Sequence, residues 1–303
     1  MKADFTKKRA RPMDRVMETV LMLAAALAIA VVVGILYVVV SESAHFFAQV
    51  SIFEFVTETR WTPLFQDAHY GIAPLLSGTF MSTLVALAVA VPLGLMAAIY
   101  LSEFADARTR EIIKPLLELL AGVPTVVYGY FALLFVTPLL QSALAPFGIR
   151  VPGFNLLSAG IVMGLMIVPY IASLSEDALR AVPRGLREGS LAMGATRFET
   201  AFRVVFPAAI SGIVGAVVLG MSRAVGETMI VAIAGGQQPQ MVVAPTQSGA
   251  TVTAFIAQVA LGDLPFGSLQ YQSIFAAGLA LLLLTLVFNF VAFYLQRRFR
   301  EAY

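Results

Sequence analysis

Residues 19–40 read Thr19-Val-Leu-Met-Leu-Ala-Ala-Ala-Leu-Ala-Ile-Ala-Val-Val-Val-Gly-Ile-Leu-Tyr-Val-Val-Val40, 22 positions without a charge. At about 1.5 Å of rise per residue, such a helix is about 33 Å long and crosses a hydrocarbon core of about 30 Å. Five further segments read the same way: 71–102, 115–140, 151–175, 204–234 and 274–295. The third carries Glu118 near its start, and the fifth carries Arg223 and Glu227. The expected fold is therefore all-α, a polytopic membrane protein with six transmembrane helices. Composition agrees, since 59% of residues are hydrophobic and only 13% are charged, where a soluble domain carries about a quarter.

The charges sort the ends of these spans. Lys2, Lys7, Lys8, Arg9, Arg11 and Arg15 precede the first; Arg108, Arg110 and Lys114 lie between the second and third. Arg180, Arg184, Arg187, Arg197 and Arg203 lie between the fourth and fifth, and Arg297, Arg298 and Arg300 follow the sixth. The opposite side holds Arg60 and Arg150. The positive-inside rule then expects both termini in the cytoplasm of a multi-pass protein of the bacterial inner membrane. The expected organisation is a basic N-terminus (1–18), a first span (19–40), an outer loop (41–70), a core with five spans (71–296) and a cytoplasmic C-terminus (297–303). The core contains a cytoplasmic loop (180–203) and an outer loop (235–271). The first span exceeds the about 7–15 residues of a signal-peptide core and is expected to be a retained anchor. The loop at 235–271 opens polar, with Gln237, Gln238, Pro239 and Gln240, and turns apolar from 251 to 261. Two readings of it stay open, a segment dipping into the membrane and a cover over the bundle.

Several functions are excluded. With no cysteine there is no disulfide, thiolate nucleophile or Cys-ligated metal. His45 and His69 stand apart and outside any metal-binding pattern, so no metal site is expected. None of the four lysines follows a phosphate-cradling glycine loop, and no nucleophile elbow is present. The chain is not expected to be an enzyme or to bind nucleic acid; lipid surrounds it. The lack of a visible internal repeat argues weakly against transporters built from inverted repeats.

Arg223-Ala-Val-Gly-Glu-Thr-Met229 places two charges in an apolar segment, where each costs about 2.5–3.5 kcal/mol or more. On a continuous helix, positions i and i+4 share a face, so Arg223 and Glu227 neutralise each other. Two readings stay open: a structural ion pair, and an anion pathway, since a guanidinium matches phosphate oxygens in pairs. Pro124 follows Lys114 by about 15 Å of helix, near mid-membrane. Gly122 and Pro124 either break the helix there, freeing Thr125 as an anion donor, or merely kink it. Arg223 follows Arg203 by about 30 Å, which suits an outer gate as well as a central site.

The loop from Arg184 to Glu199 holds Leu186, Leu191, Met193 and Phe198 among charges, with Gly194 at its middle and Pro207 beyond it. This suits two short amphipathic helices around a tight turn, with Pro207 in the first turn of span five. The spacing Glu188-x5-Gly194-x12-Pro207 resembles the "EAA" loop of ABC importer permeases. Gly189 and Ser190 stand where that pattern has two alanines, and Val204 and Phe206 replace its Ile and Leu. Residues 223–229, Ala121-Gly-Val-Pro-Thr-Val-Val-Tyr-Gly129 and Pro92-Leu-Gly-Leu-Met-Ala-Ala-Ile-Tyr-Leu-Ser-Glu103 are similar to PstC-type phosphate permeases, a likeness covering about residues 75–289.

The resemblance implies a type I ABC importer subunit that binds no cofactor itself. ATP and Mg would sit on a partner ATPase. The implied partners are a second homologous permease, two ATP-binding-cassette subunits and an external phosphate-binding protein. Glu188, Gly189, Ser190, Gly194 and Pro207 would couple to the ATPase; Arg223, Glu227, Thr228 and Thr125 would line the substrate pathway. A different oxyanion (molybdate, sulfate, a phosphonate) and an ion-gradient-driven transporter are the rival readings.

Overall fold

The computed structural model describes residues 12–298. The basic stretch from Lys2 to Arg11, and Arg300 near the other end, lie outside the described residues. The helices are α1 (Pro12–Phe47), α2 (Ile52–Thr57), α3 (Ala73–Ile99), α4 (Ala107–Ala121), α5 (Thr125–Phe131), α6 (Thr137–Leu144), α7 (Leu156–Ala181), α8 (Arg184–Ala192), α9 (Arg197–Thr200), α10 (Phe206–Ala208), α11 (Ile210–Val225), α12 (Val252–Ala260) and α13 (Leu269–Arg298). Wide π-type turns extend α3 to Phe104, join α5 to α6 and α9 to α10, and follow α11 at Val231–Gly235.

Five helical stretches are long and apolar enough to cross a membrane: Val16–Phe47, Ala73–Phe104, Thr125–Phe147, Leu156–Ala181 and Leu269–Tyr294. Arg197–Ala208 and Ile210–Val225, bent by 72°, make a sixth if taken as one span. The third span differs from the expected 115–140. The chain breaks at 122–124, and α4 before the break is a separate amphipathic helix with no buried residue. Its polar face carries Arg110 and Lys114, whose charges tie it to the end of α7 rather than into the apolar bundle. The helix through span five is likewise not straight from 204 but bent at Ala209.

α7 is the axis of the bundle, and its main partner is α3. Lipid offers no hydrophobic push between spans, so close packing relies on small residues that let backbones approach. Gly164 shows the requirement: a Cβ there would lie 2.7 Å from the Ala86 carbonyl oxygen of α3. α1 is the opposite case. Its apolar window is wholly exposed in the single chain, and it leans on α13. The terminal loop of α7 is specified locally, since the Asn155 side chain accepts from Ser158 N–H and caps the helix.

The end of the bundle opposite α8 carries a small aromatic subdomain. Trp61, the chain's single tryptophan, is fully buried. Its ring lies edge-on to Phe255 at 5.0 Å and to Phe55 at 6.2 Å. Phe46, at the end of α1, packs on Tyr70 at 5.3 Å. The apolar part of the 235–271 loop does not merely cover the bundle. It forms α12, which packs between α3 and α13, with Val252 N–H donating to Thr79 Oγ1.

His69 staples this subdomain. One ring nitrogen bonds the Glu58 carboxylate, and Nε2 faces Asp67 Oδ2 at 3.2 Å. The hydrogen bonds to Asp67 and to Glu58 raise the His69 pKa above its ordinary value. A raised folded-state pKa means the stabilisation is present below the unfolded pKa of about 6.5 and is lost as pH climbs through the folded one. Quenching of Trp61 fluorescence by acrylamide is therefore expected to increase as pH rises above that point. His69→Gln should flatten the pH response; a wild-type profile in that variant would place the titration elsewhere.

Candidate functional site

Span five is interrupted at Gly226, Glu227 and Thr228. Gly226 ends α11, and the chain resumes helical turns at Met229. A break inside an apolar bundle leaves backbone donors unpaired unless other groups reach them. Glu227 does this. Its Oε1 accepts from Met229 N–H at 3.1 Å and Ile230 N–H at 3.3 Å. Thr253 of α12 donates its hydroxyl to the Glu227 carbonyl at 2.7 Å. Thr228 turns its own hydroxyl back to Gly226 O at 3.4 Å.

Of the two readings of this pair, the geometry does not form the ion pair. Arg223 and Glu227 do not bond, because the helix ends at Val225 and the i, i+4 relation never forms. The carboxylate serves the backbone instead. Arg223 lies over the Tyr170 ring of α7, its guanidinium carbon 4.3 Å from the ring centre. Such a cation–π contact is worth about 0.5–2 kcal/mol and leaves the in-plane N–H groups free. Among the described residues, Arg223 has no hydrogen bond or ion pair to protein, and its Nε is buried without an acceptor. Arg223 lies about 20 Å along α11 from Ile210, counting 1.5 Å per residue. The expected depth of about 30 Å assumed a straight helix from Arg203, which the bend at Ala209 rules out.

Gly122 caps the end of α4, and Pro124 precedes α5, so the chain breaks between them. Thr125 is the first residue of α5, half-buried. α5 packs on the turns after Thr228: a Cβ on Gly129 would meet Ile233 Cδ1 at 2.9 Å and Met229 O at 3.2 Å. The two broken spans thus adjoin. No hydrogen bond links Thr125 to Arg223, Glu227 or Thr228 among the described residues. Asn289 of α13 reaches the same stretch, accepting from Ser222 Oγ at 3.4 Å.

At the other end, α8 and α9 form a helix–turn–helix. Gly194 has φ of +89°, a conformation that L side chains resist. Thr196 caps α9 through a reciprocal capping box with Glu199. Those bonds from Thr196, with Arg203 nearby, hold the Glu199 carboxyl below its ordinary pKa. Ser190 and Thr200 bond at 2.9 Å and join the two helices. Glu188 and Gly189 are exposed, and so are Leu186, Leu191, Met193 and Phe198. Pro207 sits in α10, just before the 72° bend.

Two carboxylates that the sequence reading passed over anchor this end. Glu176, fully buried, takes Lys114 Nζ at 2.7 Å and Arg110 Nε at 3.0 Å. Glu103 takes the guanidinium of Arg187. Glu176 lies one residue beyond the expected end of span four. Its i, i+4 relation to Arg180 was the available signal. The pairing of Glu103 with Arg187 crosses 84 residues and left no local trace.

Two spans broken at adjoining points, an amphipathic helix–turn–helix on one face and a substructure at the opposite end define a membrane permease of the type I ABC importer fold. Residues 90–301 match the family described as "Binding-protein-dependent transport system inner membrane component", and the chain belongs to that family. It is 37% identical over 249 residues to the "Probable ABC transporter permease protein YqgH" of Bacillus subtilis, covering 82% of this chain and 79% of that one. It is 33% identical over 264 residues to the "Phosphate transport system permease protein PstC" of Mesorhizobium japonicum, covering 81% and 79%. Among solved structures it resembles a chain of a bacterial alginate ABC transporter bound to its periplasmic protein, with a TM-score of 0.61 at 16% identity over 94% of this chain and 96% of that one. A chain of the inward-facing MetNI methionine transporter gives 0.54 at 20% identity over 76% and 95%.

The Glu227 carboxylate replaces the missing upstream carbonyls at the break. Glu227→Ala is expected to lower stability by about 1 kcal/mol, the scale of a lost helix cap. Glu227→Gln, which keeps an acceptor oxygen, should recover most of it. Thermal unfolding of the purified protein in detergent checks this; equal loss in both variants would show that the charge, not the acceptor, matters.

Proposed function

We propose that this chain is a permease subunit of an ATP-driven importer of inorganic phosphate. It forms half of a translocation pathway, with a second homologous permease supplying the other half. The observation that carries the reading is Arg223. It is a guanidinium held on an aromatic face beside a broken span, with its donors left without protein acceptors. An oxyanion supplies what those donors lack. Relatives called PstC in several bacteria support phosphate as that anion. Thr125 and Thr228, at the two breaks, add hydroxyl groups to the pathway, while Glu227 shapes its backbone.

The motor in this reading is a separate pair of ATPase subunits, where ATP and Mg bind. They dock on α8 and α9, whose exposed Leu186, Leu191, Met193 and Phe198 supply apolar surface and whose Glu188 supplies a charge. Gly189 gives clearance beside it, and Gly194 sets the angle between the two helices. This face is cytoplasmic, as are both termini. The aromatic subdomain faces outward, toward an external phosphate-binding protein.

The assembled complex in proteoliposomes tests this. Uptake of labelled phosphate is expected to need ATP and the binding protein, and to resist competition by sulfate and molybdate. Arg223→Gln should reduce uptake at least tenfold while the ATPase subunits stay bound. Glu188→Lys should instead release the ATPase subunits on purification. Uptake driven by an ion gradient without ATP would overturn the importer; competition by another oxyanion would change the cargo.

A further inference from the structure

Helix α8 has an unusual problem. It has no buried residue, so packing alone does not fasten it to the spans. Besides the short backbone join to α7 and the bond from Ser190 to Thr200, one side chain ties it to the spans. Arg187 Nε donates to Glu103 Oε2 at 3.2 Å, and Nη2 donates to Glu103 Oε1 at 3.0 Å. The same guanidinium donates through Nη1 to the Val182 carbonyl at 2.6 Å and through Nη2 to the Leu179 carbonyl at 2.7 Å. Glu103 lies in the π-type turn that extends α3, and Leu179 and Val182 form the end of α7. A single planar group therefore grips two spans at once. Both side chains are largely shielded, 20% and 11% exposed.

The directions of these bonds matter. A guanidinium offers five donors in a rigid plane, and here they point at a carboxylate and at two carbonyls at the end of α7, of which Leu179 O also accepts from Val182 N–H at 3.3 Å. The fork holds orientation as well as distance. Beneath it, Ala98, Ile99, Leu179, Val182, Val205, Ala209 and Ile213 form one buried cluster. That cluster joins α3 and α7 to the bend before α11. Ser190 bonded to Thr200 links α8 to α9, leaving Arg187 as the charged link to α3 and α7.

We infer that Arg187 and Glu103 form a rigid clasp through which displacement of α8 is passed to the second and fourth spans. Arg187 is a positioning residue; it touches neither cargo nor nucleotide. The inference rests on the proposed role of α8 in docking the ATPase. It adds that the clasp stays closed through the cycle, because an open clasp leaves α8 without its charged tie to α3 and joined to α7 through Val182 and Pro183 alone.

The test uses the full complex in proteoliposomes and reads uptake per ATP hydrolysed. Arg187→Gln and Glu103→Gln are each expected to retain the ATPase subunits and to hydrolyse ATP without needing the loaded binding protein. Uptake per ATP should fall at least tenfold. Arg187→Lys, which keeps the charge but not the fork, should fall between, and it carries the test if the Gln variants do not assemble. This chain contains no cysteine, so Glu103→Cys with Arg187→Cys introduces the sole thiol pair in it. Bridging that pair with a short bifunctional thiol reagent should restore coupling. Coupled transport in the Gln and Lys variants, loss of ATPase binding in Arg187→Lys as well as in the Gln variants, or a bridged pair that stays uncoupled would each overturn the clasp. Failure of the docking reading shows separately, as normal ATPase retention by Glu188→Lys.

Discussion

Every peptide group in this bundle has to find its hydrogen bond without water. In hydrocarbon an unpaired N–H or C=O costs several kcal/mol, and a helix solves the problem for all but its ends. The architecture follows from where the chain declines that solution. At Gly226–Thr228 it stops being helical, and Glu227 and Thr253 supply the partners that the helix withdraws. α12 is needed for this, so the folding of the 235–271 loop onto the bundle and the break in span five form a single arrangement. Its product is an arginine whose donors face no protein acceptor.

Charge obeys the same rule at the other end. Glu176 is fully buried, yet it has two strong cationic partners, Lys114 and Arg110, with Arg180 at 3.5 Å. Burial pulls the Lys114 pKa down, but bonds to Glu176 and Asp177 outweigh it and the net shift is upward. A buried carboxylate with one partner removed becomes a cost of several kcal/mol, so the position of α4 is fixed by electrostatics rather than by apolar contact. The basic side chains that set orientation in the sequence thus also hold the ends of spans two and four in register.

Much of the fold was legible from hydropathy alone, because the solvent of a spanning helix dictates composition over about 20 residues. Gly122 and Pro124 likewise marked where a helix is hard to continue. Two things were not legible. The boundary of span three was misplaced, because Pro115-Leu-Leu-Glu-Leu-Leu120 is apolar enough to read as a span. What pulls α4 out of the bundle is its tie to Glu176, a contact 62 residues away. Of the two readings of Arg223 and Glu227, the ion pair does not form, for the converse reason. Spacing of four residues implies contact on an intact helix, and nothing local announces that α11 stops at Val225. Glu227 was identified as important on the ground of charge, whereas its visible work is that of a cap.

The exposed first helix has a consequence for how such a chain is organised. α1 lies outside residues 90–301, the part that matches the family. It is attached along α13 and, through Phe46, to the aromatic cluster around Trp61. Phe47 joins it there by packing on Phe55, and the cluster includes Phe255 of the family-matched region. α1 is thus an outrigger, leaning along α13 and knotted at Phe46 into the aromatic cluster, with its apolar window otherwise exposed in the single chain. Its sequence answers to the thickness and chemistry of the bilayer, whereas Phe46 answers to the protein.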